Sequence, residues 1–308
     1  MTLTRQQVQA WFDQTGGHPS RSLGQNFVVD PNTVRRIVRL ADVDATTKVV
    51  EIGAGLGSLT LALAETGASV LAVEIDRHVI EGLRENTSAR SNVTVLHADA
   101  MALDWNDVLP AERGPYTLVA NLPYNIATPL IADLLDFVPQ ITVMLVMVQK
   151  EVADRFAAAP RTSAYGAVTV KVAYWAVARM VGVVPSTVFL PRPNVESGLV
   201  RLDRHAGGPI VPEHVVRAQT IFGLVKAGFA QRRKMLRGNL AGTVVESDFA
   251  AAGVAATARA EELDVHAWVR LAAAVEARSD AVQSPVPVVQ SPVPVVQSPV
   301  SVVQSPVP

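Results

Sequence analysis

The sequence of 308 residues contains no cysteine and no long hydrophobic run. The absence of cysteine excludes disulfide bonds, thiolate metal sites and cysteine nucleophiles, and it fits a reducing compartment. The longest apolar run, residues 141–148, is far shorter than the ~20 residues that span a bilayer. Residues 1–21 lack the apolar segment of a secretory signal. We therefore expect a cytoplasmic protein with no membrane segment.

Metal-ligand spacings and hydrolase motifs are also missing. The six histidines are scattered without an H-E-x-x-H pattern, and no G-x-S-x-G sequence is present. We therefore predict no catalytic metal, and hydrolase chemistry has no support. The formal charge of −1 points to no polyanionic partner, but Lys226–Arg237 carries five cations and no acid. That segment is either a solvated helix face or a phosphate-binding surface.

What the sequence does contain is an alternation of short apolar strands with amphipathic helical stretches. Predicted strands rich in β-branched residues occupy 48–52, 69–75, 93–97, 116–120 and 141–148. Near-continuous apolar strands separated by helices are typical of a parallel sheet covered on both faces. The pattern predicts a doubly wound, Rossmann-like α/β fold.

Composition divides the chain into three parts. We predict an α/β domain over 1–204, a small all-helical domain over 205–279 and a tail over 280–308. The tail repeats QSPVPVV, and its frequent prolines forbid a helix while its small side chains cannot build a core. We expect it to be disordered and partly polyproline II.

A glycine-rich loop follows the first predicted strand of the sheet. Gly53 and Gly55 allow a tight turn and close approach of a ligand. Glu51 lies just before the loop, Glu74 ends the next strand where a carboxylate can accept ribose hydroxyls, and Asp99 can accept from an adenine amine. A dehydrogenase would explain the glycines and Glu74, but its loop normally reads G-x-G-x-x-G. The acids and glycines together predict a nucleotide-containing cofactor at this edge of the sheet.

The fourth predicted strand leads into Asn121-Leu122-Pro123-Tyr124, which resembles the Asn/Asp-Pro-Pro-Tyr signature of enzymes that methylate amino groups in DNA. The lone pair of adenine N6 is delocalised into the ring. An amide oxygen of Asn121 and a backbone carbonyl of Leu122 or Pro123 that accept the N6 protons would favour a more tetrahedral nitrogen. Tyr124 offers a ring for a flipped base. Catalysis would then be positioning and electrostatics without a strong base.

Over residues 22–278 the sequence resembles the ribosomal RNA adenine dimethyltransferases, which use S-adenosylmethionine. The motifs that carry the resemblance are Ser22–Phe27 with Asp30-Pro31, Glu51–Gly55, Asn121–Tyr124, Val148–Ala153 and Phe189–Ser197. Two further segments, Phe229–Arg237 and Arg259–Leu263, resemble the bacterial small-subunit branch rather than the macrolide-resistance branch that acts on the large subunit.

The resemblance implies roles for single residues. Cofactor contacts would fall on Asn26, Val28, Gly53, Glu74, Asp99 and Asn121, to which the loop pattern adds Glu51 and Gly55. Tyr124 and Phe189 would sandwich the target base. Arg232, Arg233, Lys234 and Arg237 would bind RNA phosphates.

The leading hypothesis is a monomeric enzyme that dimethylates N6 of two adjacent adenosines near the 3′ end of 16S rRNA in the immature 30S subunit, late in assembly. A second hypothesis is an rRNA-binding assembly checkpoint in which methylation is secondary. A third is an adenine N6-methyltransferase for 23S rRNA or DNA.

Overall fold

The computed structural model describes residues 2–231 and 234–283. Its strands are β1 Phe27–Val28, β2 Lys48–Ile52, β3 Ser69–Glu74, β4 Val93–His97, β5 Tyr116–Asn121, β6 Ile141–Gln149, β7 Ala176–Val184, β8 Phe189–Leu190 and β9 Ser197–Arg204. Its α-helices are α1 Arg5–Thr15, α2 Pro31–Ala41, α3 Ser58–Ala64, α4 Ile80–Thr87, α5 Trp105–Val108, α6 Ala127–Phe137, α7 Lys150–Phe156, α8 Ala167–Trp175, α9 Ala218–Phe229, α10 Leu236–Asn239, α11 Glu246–Ala252 and α12 Val265–Gln283.

Seven strands form one sheet in the order β4-β3-β2-β5-β6-β9-β7. Neighbouring strands from β4 to β6 are parallel, whereas β9 is antiparallel to both β6 and β7. One hydrophobic cluster lies between the sheet and α6, and another lies between the opposite face and α2 and α3. The predicted doubly wound α/β fold is confirmed, and it aligns the carboxyl ends of β2, β3, β4 and β5 along one edge.

The five predicted strands correspond to β2–β6, but β7 and β9 were not predicted. Neither sequence is a continuous apolar run, because β7 contains Arg179 and Gly182 and β9 alternates charged with apolar residues. Such sequences are tolerated at the margin of a sheet, where one face or one edge remains open to water. The sheet is therefore mixed rather than wholly parallel.

Helices α9 to α12 follow the last strand. Their apolar side chains gather around the fully buried Trp268, and this cluster includes Tyr165, Val170 and Tyr174 from before residue 204. The core of the C-terminal helices therefore extends onto α8. The division at residue 204 marks a change of secondary structure, and its standing as a domain boundary remains a prediction.

At the C-terminus, α12 continues to Gln283, past the predicted start of the tail at residue 280. The rest of the predicted tail, 284–308, lies outside the described residues. Within the described part of the chain, no helix is both long enough and apolar enough to cross a bilayer.

Candidate active site

A cavity of about 290 Å³ opens at the carboxyl ends of β2, β3 and β5, and residues 23–28 form one of its walls. Eleven of the predicted site residues line this cavity, namely Asn26, Val28, Glu51, Gly53, Gly55, Glu74, Asp99, Asn121, Leu122, Pro123 and Tyr124. They come from five separate segments of the chain. The fold therefore brings the predicted cofactor residues and the Asn-Leu-Pro-Tyr turn to one place.

The glycine-rich loop between β2 and α3 adopts backbone conformations that favour glycine. Gly53 and Gly55 have φ values of 74° and 57°. A Cβ on Gly55 would also lie 2.9 Å from Cε1 of Phe27. A side chain at this position would be both strained and crowded, so the loop requires glycine here.

The carboxylate of Glu74 is fixed by backbone N–H groups. Its Oε2 accepts from the N–H of Gly55 at 2.7 Å, and its Oε1 accepts from the N–H groups of Ile75 and Asp76 at 3.0 and 2.9 Å. Burial raises the pKa of Glu74, and these hydrogen bonds oppose that rise. Oε1 already accepts two hydrogen bonds, but Oε2 keeps a lone pair, so the carboxylate can accept from a ligand with its orientation already set.

Glu51 is the most deeply buried acid of the cavity, with 2% of its surface exposed. Its Oε2 accepts a hydrogen bond of 2.6 Å from the hydroxyl of Thr60. Burial raises the pKa of Glu51 to about 8, and the negative charge of Glu74 adds to the effect. A cationic ligand beside Glu51 would favour its ionised form.

Two further polar groups of the cavity have capacity left for a ligand. Asp99 is exposed at the end of β4, and its Oδ1 accepts from the N–H of Met101 at 2.9 Å, which leaves Oδ2 for another donor. The buried hydroxyl of Ser58 has no hydrogen-bond partner in the described structure, although it lies in the wall of the cavity. An unpartnered buried hydroxyl is costly, so its presence here fits a polar ligand.

Asn121 ends β5, and its side chain has a defined orientation. Its Nδ2 donates to the backbone carbonyl of Asn26 at 2.9 Å. Because a carbonyl only accepts, the amide nitrogen must face Asn26, and Oδ1 is left as an acceptor. In the turn that follows, the backbone carbonyl of Pro123 already accepts hydrogen bonds from the N–H groups of Ile126 and Ala127, both at 3.2 Å. Of the two predicted backbone acceptors, the Leu122 carbonyl is therefore the better candidate.

The two predicted base-stacking aromatics are not equivalent. Tyr124 lies in the cavity wall, and its hydroxyl is within 3.0 Å of Oγ of Ser197, which holds the ring in place. Phe189 is fully buried at 0% exposure in the cluster between the sheet and α2, and it does not line the cavity. In this conformation its ring presents no face to a base, so the predicted sandwich is not formed.

The sequence interpretation missed Gln25 and Asp76, which tie the N-terminal segment to the cavity. Gln25 donates from Nε2 to Oδ2 of the buried Asp76 at 2.6 Å and accepts from the N–H of Ser20 at 2.8 Å. Gly24 packs against the Asn-Leu-Pro-Tyr turn, because a Cβ there would lie 3.5 Å from that of Pro123. The position of Gln25 inside the Ser22–Phe27 motif was the available signal.

Helix α1 was also missed, since it precedes every motif. Val8 lines the cavity, and Phe12 packs edge-on against Phe27 at 5.4 Å between ring centroids. Arg5 donates from Nη2 to the carbonyls of Thr187 and Phe189, both at 3.0 Å. This helix therefore connects the cavity with the β8 segment.

Of the predicted RNA-binding residues, Lys234 and Arg237 do not line the cavity. Lys234 is exposed in the connection between α9 and α10, and Arg237 is exposed on α10. Arg232 and Arg233 lie outside the described residues. No group of three or more metal-ligating side chains occurs in the described part of the chain.

Residues 18–276 match the model of the family described as "Ribosomal RNA adenine dimethylase". The chain is 47% identical over 268 residues to ribosomal RNA small subunit methyltransferase A of Leifsonia xyli, covering 84% of this chain and 93% of that protein. It is 46% identical over 276 residues to the protein of the same name from Cutibacterium acnes, with 85% and 91% covered.

Two solved structures show the same fold over most of the chain. The 23S rRNA methyltransferase ErmE aligns with a TM-score of 0.64 and 27% identity, covering 81% of this chain and 99% of that one. A dimethyladenosine transferase from Plasmodium falciparum aligns with a TM-score of 0.65, covering 79% and 94%, and its 23% identity supports the fold alone. The family match, the relatives and the geometry of the cavity agree, and the chain belongs to the ribosomal RNA adenine dimethylase family.

Proposed function

We propose that this chain dimethylates N6 of two adjacent adenosines near the 3′ end of small-subunit rRNA, with S-adenosylmethionine as the methyl donor. The observation that carries the proposal is the single cavity in which Glu74, Asp99 and Asn121 meet. Identities of 46–47% to small-subunit methyltransferases, against 27% to a 23S rRNA methyltransferase, favour the small-subunit substrate.

The donor would lie across the ends of β2, β3 and β4. Glu74 would accept from the ribose hydroxyls, and Asp99 from the adenine amine of the donor. Glu51 and the backbone of Asn26, Val28, Gly53 and Gly55 would surround the methionine part, with the Ser58 hydroxyl available to its carboxylate. When bound, the donor supplies a methyl group on a positively charged sulfur.

On the acceptor side, the residues of the turn would position the target amine. Oδ1 of Asn121 and the carbonyl of Leu122 would accept the two N6 protons, so that the nitrogen lone pair faces the methyl carbon. The N6–carbon bond forms as the carbon–sulfur bond breaks, and the sulfur keeps that electron pair. The proton of N6, which is acidic once the nitrogen is alkylated, would then pass to the solvent. Tyr124 would hold the base by stacking.

Recognition of RNA would involve the exposed basic residues of the helical region. Lys234 and Arg237, together with Arg232 and Arg233 outside the described residues, are proposed to contact phosphates. We propose that the protein acts as a monomer on the immature 30S subunit, in the cytoplasm where that subunit is assembled.

The test is a methylation assay with isotopically labelled donor and three substrates: immature 30S particles, 23S rRNA and DNA. We expect N6,N6-dimethyladenosine at two adjacent positions in 16S rRNA, identified by mass spectrometry of nuclease fragments. Preferential labelling of 23S rRNA or DNA would refute the proposed substrate. A chain that binds no donor in calorimetry would refute the proposed reaction.

A further inference from the structure

The margin of the sheet farthest from β4 carries a group of arginines on one face. Arg179 of β7 pairs in register with Arg201 of β9, and Arg201 pairs in turn with Leu145 of β6. Directly opposed residues of neighbouring strands share a face, so both arginines lie on the side of the sheet that carries α2. Arg201 reaches α2 itself, because its Nη1 donates to the carbonyls of Leu40 and Ala41 at 3.2 and 3.4 Å.

Helix α2 adds further arginines to the same face. Arg36 donates from Nη1 to the carbonyl of Val183 at 3.0 Å, and its guanidinium occupies the space that a Cβ on Gly182 would fill. Arg35 and Arg39 are exposed one helical turn apart. Gly182 lies three steps along the strand from Arg179, about 10 Å at ~3.3 Å per residue, which is close to one Debye length at ~0.1 M salt. The positive potentials of these side chains therefore add.

Negative charge on this surface comes from Asp203 and from Asp30, which interacts electrostatically with Arg35. Arg201 is paired with Asp203 at 2.9 Å, whereas Arg35, Arg39 and Arg179 form no ion pair with any of the residues that the structure describes. Like charges directly opposite each other on a sheet are destabilising. Arg201 holds the end of α2 and pairs with Asp203, whereas Arg179 has no such structural contact in the described residues. The neighbouring Val177 is 43% exposed, which shows that this face is uncovered.

We propose that this surface, named here the arginine margin (Arg36, Arg39, Arg179 and Arg35), binds the phosphate backbone of the substrate RNA. The proposal rests on the proposed function. The strand that carries Arg179 leads to the catalytic edge, since β7 ends at Val184 in register with Ser197, whose hydroxyl contacts Tyr124. An RNA strand that presents its adenosine to Tyr124 can therefore continue over α2 and β7. Arginine is suited to this contact because its donors match phosphate oxygens.

The test compares R39Q/R179Q with the wild-type chain in binding to a fragment of 16S rRNA that contains the target adenosines, over a range of salt. Both side chains are exposed and unpaired within the described structure, so the fold should tolerate the changes. Each lost phosphate contact makes the negative slope of log K against log salt less steep by about 0.7 to 0.9. We expect the ratio of the wild-type association constant to that of the variant to fall about tenfold between 50 and 200 mM salt.

The matched control is R84Q/R90Q, which removes two arginines that are ion-paired with Glu81 and Glu65 on another face. This control should bind RNA as the wild type does, and R39K/R179K should recover most of the affinity. An unchanged salt slope in R39Q/R179Q would overturn the inference. Calorimetry with S-adenosylhomocysteine separates the two proposals, because a wild-type chain that binds neither this compound nor the RNA refutes the proposed function instead.

Discussion

The side chains on the donor side of the cavity are more fully preorganised for binding than those on the acceptor side. On the donor side, Glu74 is held by three backbone N–H groups and Glu51 by the Thr60 hydroxyl, and both are buried. On the acceptor side, Asn121 and Tyr124 are oriented, but Phe189 is enclosed in the core. The donor is always the same molecule, so its half can be preorganised, whereas the acceptor half receives a base that only the RNA brings.

Replacement of Asn121 by Ala should have the largest effect, because it removes the one side-chain acceptor proposed for N6. We expect kcat to fall by roughly 10²–10³, the range seen when a single preorganised hydrogen-bonding group of an active site is lost. Single-turnover methylation of 30S particles measures this loss, with Asn32→Ala, an exposed change on α2, as the control. Near-normal turnover in the Asn121 variant would refute the role proposed for Asn121 in positioning N6.

Glu74→Gln tests the donor side alone. The amide keeps one acceptor oxygen but places an NH₂ group among backbone donors, so it should both lose the ribose hydroxyls and disturb the loop at Gly55. We expect the affinity for S-adenosylhomocysteine to fall about a hundredfold, given ~1.5–3 kcal/mol for hydrogen bonds to a charged group. Isothermal calorimetry provides the measurement, and the exposed Glu81→Gln should bind normally.

Tyr124→Leu and Phe189→Leu separate stacking from packing. Loss of stacking costs about 1–3 kcal/mol per base, so Tyr124→Leu should raise the KM for RNA by about tenfold. Phe189→Leu should leave the KM for RNA within about twofold of the wild-type value, and it should lower the free energy of unfolding by about 1 kcal/mol. Equal increases of KM in the two variants would instead mean that Phe189 leaves the core to stack on the base.

The smallest effect concerns pH and Glu51. Because the pKa of Glu51 is raised to about 8, its ionised form grows as pH rises toward that value. The affinity for the cationic amino group of S-adenosylhomocysteine should therefore increase about fivefold from pH 7 to 8, and Glu51→Gln should abolish this increase. In the ligand-free protein, unfolding releases the proton between pH 4.5 and 8, so wild-type stability should fall with pH over that range while that of Glu51→Gln falls less.

The sequence predicted the donor side better than the acceptor side for a physical reason. Gly53, Gly55 and Glu74 lie in short motifs at strand ends, where local sequence determines both conformation and position in the sheet. The burial of Phe189 depends on its pairing with Val28, 161 positions earlier in the chain, which no local pattern encodes. The strands β7 and β9 escaped prediction similarly, since their pairing with the sheet, rather than an apolar run, makes them strands.

Helix α1 shows that the first residues of the chain help to form the cavity. A shortened protein that starts at residue 16 would lose Val8 from the cavity wall and the Arg5 hydrogen bonds to the β8 segment. It would also expose the apolar surface of Phe27 and Leu56 that α1 covers. Any purification tag is therefore better attached at the other terminus, because a bulky extension beside Thr2, which is buried, would disturb the packing at the start of α1.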